Sequence, residues 1–171
     1  MIKNSKLFSF LLILPLFILI LGGCGKSASE IAGEKAAEKN IENQTGGQAN
    51  VDINNGSIKI EGSLGKIESG DNVKLPAYFP DDVYVIEGKI ITAFSNQADK
   101  SITLSIDSTA SIKEAFTIYQ EKLKATGWLI TGIMNYGDSA NVIAEKDKRT
   151  ASIFMNKSGD KISVVLVIAE K

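Results

Sequence analysis

From Ser101 to Asp107 the chain alternates without a break, Ile102, Leu104 and Ile106 each separated by one polar residue. A period of two is that of a half-buried β-strand, whose successive side chains point to opposite faces. The same rhythm, less clean, runs through Lys89–Ser95, Trp128–Tyr136, Asn141–Lys146, Thr150–Asn156 and Lys161–Ala169. Between these runs lie short polar turns: Asn96 to Lys100, Gly137-Asp138, Asp147 to Arg149 and Ser158-Gly159-Asp160. Connections that short join antiparallel neighbours. Upstream, Val51–Ile53 and Ile58–Ile60 flank Asn54-Asn55-Gly56 and predict a β-hairpin, and Lys66–Ser69 adds a third short strand. Asp52, Asn54 and Gly56 also invite a calcium-loop reading. The acidic spacing and the closing glutamate of such a loop are missing, so the hairpin is preferred.

The period changes to helical after Asp107. Ser111-Ile112-Lys113-Glu114 has the form of a capping box, in which the serine hydroxyl and the glutamate carboxylate each satisfy a free backbone N–H. Ile112, Ala115, Phe116, Tyr119 and Leu123 then share one face, Gly127 ends the helix with a left-handed cap, and Trp128 can fold back on Leu123. A second helix, Ala28–Asn43, has only a thin apolar stripe of Ile31, Ala32, Ala36 and Ile41. Its glutamates Glu30, Glu34, Glu38 and Glu42 repel one another at fourfold spacing, so it needs docking to persist. The elements predict an α+β fold. A curved antiparallel sheet in chain order β-β-α-β-β-β-β carries one helix on one face, preceded by an N-terminal helix and β-hairpin.

The first residues follow a different logic. Lys3 and Lys6 precede an almost wholly apolar run, Leu7 to Leu21, and no acid appears before Glu30. Roughly fifteen apolar residues are too few to cross a bilayer as a helix but suit a secretory signal peptide. The run ends at the chain's only cysteine, and Leu21-Gly22-Gly23-Cys24 resembles the lipobox of bacterial lipoproteins. That resemblance implies removal of residues 1–23 and attachment of diacylglycerol to the Cys24 thiol. Diacylglycerol carries two acyl chains, such as palmitate, and two hold a protein stably where one alone binds a bilayer only weakly. The organisation expected is residues 1–23 signal, 24–29 lipidated cysteine and tether, 30–74 N-terminal helix and hairpin, and 75–171 main α+β domain.

Composition narrows the chemistry. Without its two signal lysines the chain carries 17 basic against 20 acidic side chains, too mild a balance for a nucleic-acid partner. It has no histidine, which removes the commonest general base near neutral pH and the commonest transition-metal ligand. With Cys24 acylated, thiol chemistry goes too, and no cofactor or metal is expected. Asp81 and Asp82 are adjacent on an extended stretch and so point apart, which favours a solvated turn over a catalytic pair.

Leu75-Pro76-Ala77-Tyr78-Phe79-Pro80-Asp81-Asp82-Val83 reads L-P-x-x-F-P-x-D-V, and Glu114 to Trp128 reads E-A-F-x-x-Y-x-x-x-L-K-x-x-G-W. With the lipobox and a Val/Ile-rich tail, these runs resemble a family of uncharacterised bacterial lipoproteins across nearly all of the mature chain. The resemblance implies a lipid-anchored protein of the bacterial envelope facing outside the cytoplasm. Its motifs are caps, turns and core positions and carry no catalytic residue.

One feature remains for function. In the last strand Ile162, Val164, Leu166 and Ile168 make one apolar face, while Val165, Val167 and Ala169 make the other apolar as well; Phe154 adds to that second face. Either the N-terminal helix and hairpin fold over it, or the strand is central and buried on both sides, or Phe154, Val165 and Val167 line a face for an envelope protein or polymer partner. Tyr84, Phe94 and Tyr136 are further aromatic candidates at core or rim. The expectation is a non-catalytic binding or assembly module; the alternatives are a carboxylate-dependent cell-wall hydrolase and a purely structural spacer. Replacing Cys24 with alanine in cells is expected to abolish labelling by radioactive palmitate and leave the uncut precursor. Labelling that survives the change would sink the lipobox reading.

Overall fold

The computed structural model describes residues 28–44, 49–54, 56–63 and 65–171. The signal segment and Cys24 lie outside them. The described chain is α+β, with two helices and a nine-stranded, wholly antiparallel open sheet. Its elements are α1 (Ala28–Gln44), β1 (Ala49–Asn54), β2 (Ser57–Gly62), β3 (Gly65–Ser69), β4 (Lys89–Asn96) and β5 (Ser101–Ser108). They continue with α2 (Ile112–Ala125), β6 (Leu129–Asn135), β7 (Ser139–Lys146), β8 (Arg149–Ser158) and β9 (Lys161–Glu170). Two meanders make the sheet, β1 to β5 and β6 to β9, in the spatial order β1-β2-β3-β4-β5-β9-β8-β7-β6. The last strand therefore lies inside, joined to β5 from Ile102↔Ile168 to Ser108↔Ile162.

Alternation decides which face is core. Ile102, Leu104 and Ile106 of β5, Ile153 and Met155 of β8, and Val164, Leu166 and Ile168 of β9 are buried together. Against them α2 lays Ile112, Ala115, Tyr119 and Leu123, the face its spacing predicts. Both halves of its capping box form: the Glu114 N–H donates to Ser111 Oγ and the Ser111 N–H donates to the Glu114 carboxylate. At the other end Gly127 takes φ +84°, its N–H donates to the Lys124 carbonyl and that of Trp128 to the Leu123 carbonyl. These bonds satisfy carbonyls that a helix end leaves free and turn Trp128 into the core.

The N-terminal segment differs from the simple picture in two ways. The hairpin does not fold over the main sheet; β3 pairs with β4 from Lys66↔Ser95 to Ser69↔Thr92, so the sheet runs on across Leu75. Nor does α1 dock through most of its apolar stripe: Ile31, Ala32 and Ala36 are exposed, and only Ile41 of the four is half-buried. Its half-buried side chains are Glu34, Glu38, Ile41 and Glu42. The carboxylates accept from the free edge of β1, Glu38 from the Ile53 N–H at 2.8 Å and Glu42 from the Val51 N–H at 3.5 Å. Glutamates four apart on a helix match amides two apart on a strand, because both spans are close to 6 Å.

Gly127→Ala is expected to cost about 1–2 kcal/mol, because a Cβ at positive φ is strained, although it would meet only the Lys146 side chain and at ordinary contact distance. Thermal unfolding should shift down by several degrees. An unchanged melting temperature would mean that the left-handed cap does not carry the helix end.

Candidate functional site

Between β3 and β4, residues 70–88 form a long connection without helix or strand, yet Val83 and Ile86 are in the core and Tyr78, Phe79 and Tyr84 pack against it. Such a segment needs anchors, and Asp82 is the main one. Its carboxylate takes a two-pronged bond from Arg149, with both N–O distances 2.8 Å, and a bond from Lys146 Nζ at 2.7 Å. Its carbonyl accepts from the Thr126 hydroxyl at 2.8 Å and from Trp128 Nε1 at 3.1 Å. The Arg149 guanidinium also stands 5.0 Å from the centre of the Trp128 ring, a cation–π contact. Asp82 is thus no solvated turn. The Arg149 bonds, helped by Lys146 and opposed by partial burial, hold its carboxyl at about 2, well below the usual 3.8. The proline motif and the helix motif meet here.

Tyr119 fixes the same segment from within. Its buried hydroxyl receives the Ile86 N–H at 3.4 Å, its ring meets Tyr84 edge-on at 5.5 Å, and burial raises its phenol pKa well above the ordinary value. Tyr84 is therefore a packing residue.

The candidate face of the last strand is found on the side away from α2. Val165 lies between Ser105 and Phe154, and Val167 between Thr103 and Ser152. Both valines are half-buried and Phe154 is 42% exposed, while its neighbours Ile153 and Met155 are fully buried. The three residues do come together, with no described element over them. Hydroxyls flank the three residues, but the same face continues apolar across the other strands, through Phe94, Ile67, Ile60 and Val51 in one cross-strand row and Ile143 on β7. Phe94 lies on this face too, half-buried between Ile67 and Thr103. Tyr136 is 76% exposed beside the β6–β7 turn.

The larger concavity opens on the helix side. There α2 covers β6, β7 and β8, and the 70–88 segment packs beside it, leaving the inner face of β2 and β3 without a lid. The result is a cleft of about 690 Å³, floored by Lys59, Glu61, Lys66, Glu68, Ala93 and Ser95 and walled by Lys74 to Tyr78. Its size is that of a small-ligand site. At one end Gly65, with φ +119°, lets β3 start tight against the Ser95 carbonyl, where any side chain would collide. Lys66 bonds Glu68 at 2.8 Å and holds that carboxyl below its ordinary pKa. The Tyr78 hydroxyl is buried in this wall without a hydrogen-bond partner, the one such side-chain atom among the described residues. An unpartnered buried hydroxyl costs stability and marks a place where a ligand or water can bond.

Neither the cleft nor the Asp82 cluster was foreseen. Lys59, Glu61, Lys66 and Glu68 occupy the polar positions of alternating strands, which look like any solvated face. Comparisons with protein-family models, curated proteins and solved structures find no match.

Asp82→Asn is expected to destabilise the fold by about 1–2 kcal/mol near neutral pH, after discounting for the quarter of the side chain left exposed. Because the folded pKa is the lower one, this stability is present above about 3.8 and is lost as pH falls toward about 2. Denaturant titrations of parent and variant should therefore converge between pH 4 and pH 2. A gap that stays constant down to pH 2 would contradict the ion-pair account.

Proposed function

We propose that this protein is a lipid-anchored, outward-facing envelope lipoprotein that binds a polar segment of another envelope component without catalysis. The observation that carries the reading is the lidless cleft between β2–β4 and residues 74–78, with its unpartnered Tyr78 hydroxyl. Alternating Lys59, Glu68, Lys66 and Glu61 suit a ligand bearing both charges and amide groups, as an extended peptide does. Leu75, 44% exposed at the lip, adds an apolar contact. The Leu21-Gly22-Gly23-Cys24 resemblance supports the anchor: membrane lipid holds the protein through Cys24 and leaves the folded part free to meet its partner. Phe154, Val165 and Val167 form a second, flatter surface on the opposite face.

The hydrolase alternative fares worse on chemistry. Glycan cleavage needs one carboxylic acid kept protonated to donate to the leaving group. Glu68, the cleft acid bonded to Lys66, is held ionised instead, as are Asp82, Asp71 and Glu114 at their own sites. A plain spacer has no use for an open cleft beside a buried, unpaired hydroxyl.

A photo-cross-linking residue placed at Leu75 in the full chain, in its native membrane, should capture a discrete partner. Glu68→Lys should reduce that adduct severalfold, and the same cross-linker at exposed Lys113 on α2 should not form it. Identical adducts from Leu75 and Lys113 would remove the cleft from consideration.

A further inference from the structure

The two edges of the sheet are treated differently. The β1 edge is occupied: its outward amides at Val51 and Ile53 donate to Glu42 and Glu38 of α1. At the β6 edge no described element follows. From Trp128 to Gly137 there is no charged residue and no proline, the two devices that most often protect an edge from pairing. Ile133, Met134 and Tyr136 are 54%, 50% and 76% exposed there. We propose that this edge pairs with the same edge of a second copy, antiparallel about a twofold axis at Met134.

The register follows from the turn. Tyr136 donates its N–H to the Ser139 carbonyl at 2.8 Å, closing the β6–β7 hairpin. By the antiparallel alternation, Met134 and Gly132 also bond toward β7, and the N–H and C=O of Ile133 and Asn135 face outward. The irregularity between Ile130 and Gly132 leaves Gly132 to Tyr136 as the regular stretch. With Met134 on the axis, Ile133 of each copy exchanges both bonds with Asn135 of the other, and Met134 meets Met134. Tyr136 then lies over Gly132, where the absent side chain leaves room for its ring. Every pair is uncharged, so self-pairing sets no like charges face to face, and each exposed apolar side chain of the stretch gains cover.

The occupied β1 edge selects the stoichiometry. Head-to-tail pairing of β6 with β1 would generate an open fibre, and α1 stands in its way; edge-to-same-edge pairing closes at two. This inference is independent of the cleft, which lies at the other end of the sheet.

Native mass spectrometry of the full chain from detergent micelles should show two chains, with nothing larger. Met134→Lys, which puts two like charges opposite each other, should give single chains with an unchanged melting temperature, whereas Met134→Leu should keep the pair. Met134→Cys should oxidise to a disulfide-linked dimer, since facing residues in a non-hydrogen-bonded pair are about 4.5 Å apart at Cα; Lys113→Cys should not. Single chains in the parent, species larger than two, a Met134→Lys protein that still pairs, or a Met134→Cys disulfide to a different protein would each overturn the proposal.

Discussion

Three stretches distant in sequence meet on one aspartate, and the layout of the helix side follows from that meeting. Asp82 comes from the long connection, Thr126 and Trp128 from the end of α2, and Lys146 and Arg149 from either side of the β7–β8 turn. Each of these elements could form locally, but none alone says where the others belong. Two cations make three bonds to the carboxylate, and the backbone carbonyl of the same residue accepts from two neutral donors. An ion pair at this depth is worth little as a bare contact. Here it matters because it fixes a nineteen-residue span, from Gly70 to Gly88, that has no ladder of its own. Lys74 to Tyr78 of that span wall the cleft on the inner face of β2 and β3.

What could be read from the chain divides by the range of the interactions. Every strand and both helices were legible, since alternation, the Ser111–Glu114 box and the Gly127 stop are local signals. The inside face of the main sheet was legible for the same reason: Leu104, Leu166 and Ile153 announce themselves by period. Asp82 was misjudged because a neighbour's identity, Arg149, lies far along the chain. The α1 stripe misled through a local rule applied where a tertiary one prevailed. Of the apolar positions Ile31, Ala32, Ala36 and Ile41 only Ile41 is half-buried, and the helix meets the sheet through Glu38 and Glu42, whose carboxylates find amides that only the folded edge presents. Tyr78 belongs to the Leu75–Val83 run of turns and core positions, and nothing in its sequence context signals that its hydroxyl lacks a partner.

The two sides of the sheet differ in charge. The face away from α2 carries Val51, Ile60, Ile67 and Phe94 in one row across β1 to β4 and Phe154, Val165 and Val167 farther on, with serine and threonine between them. Charge is concentrated instead on the helix side of β2 and β3, where lysine and glutamate alternate across the ladder and neutralise each other locally. A ligand entering there exchanges partners rather than entering an empty field, so selectivity would come from geometry more than from net attraction.

The interior position of β9 has a kinetic consequence. Between β5 and β8, the middle of the sheet is supplied by the last ten residues but one, Lys161–Glu170. Before they are available, β1–β5 and β6–β8 are separate meanders with Leu104 and Ile153 open to water, and the contacts that join them span more than fifty residues. Long-range closure of this kind is slow and comes late.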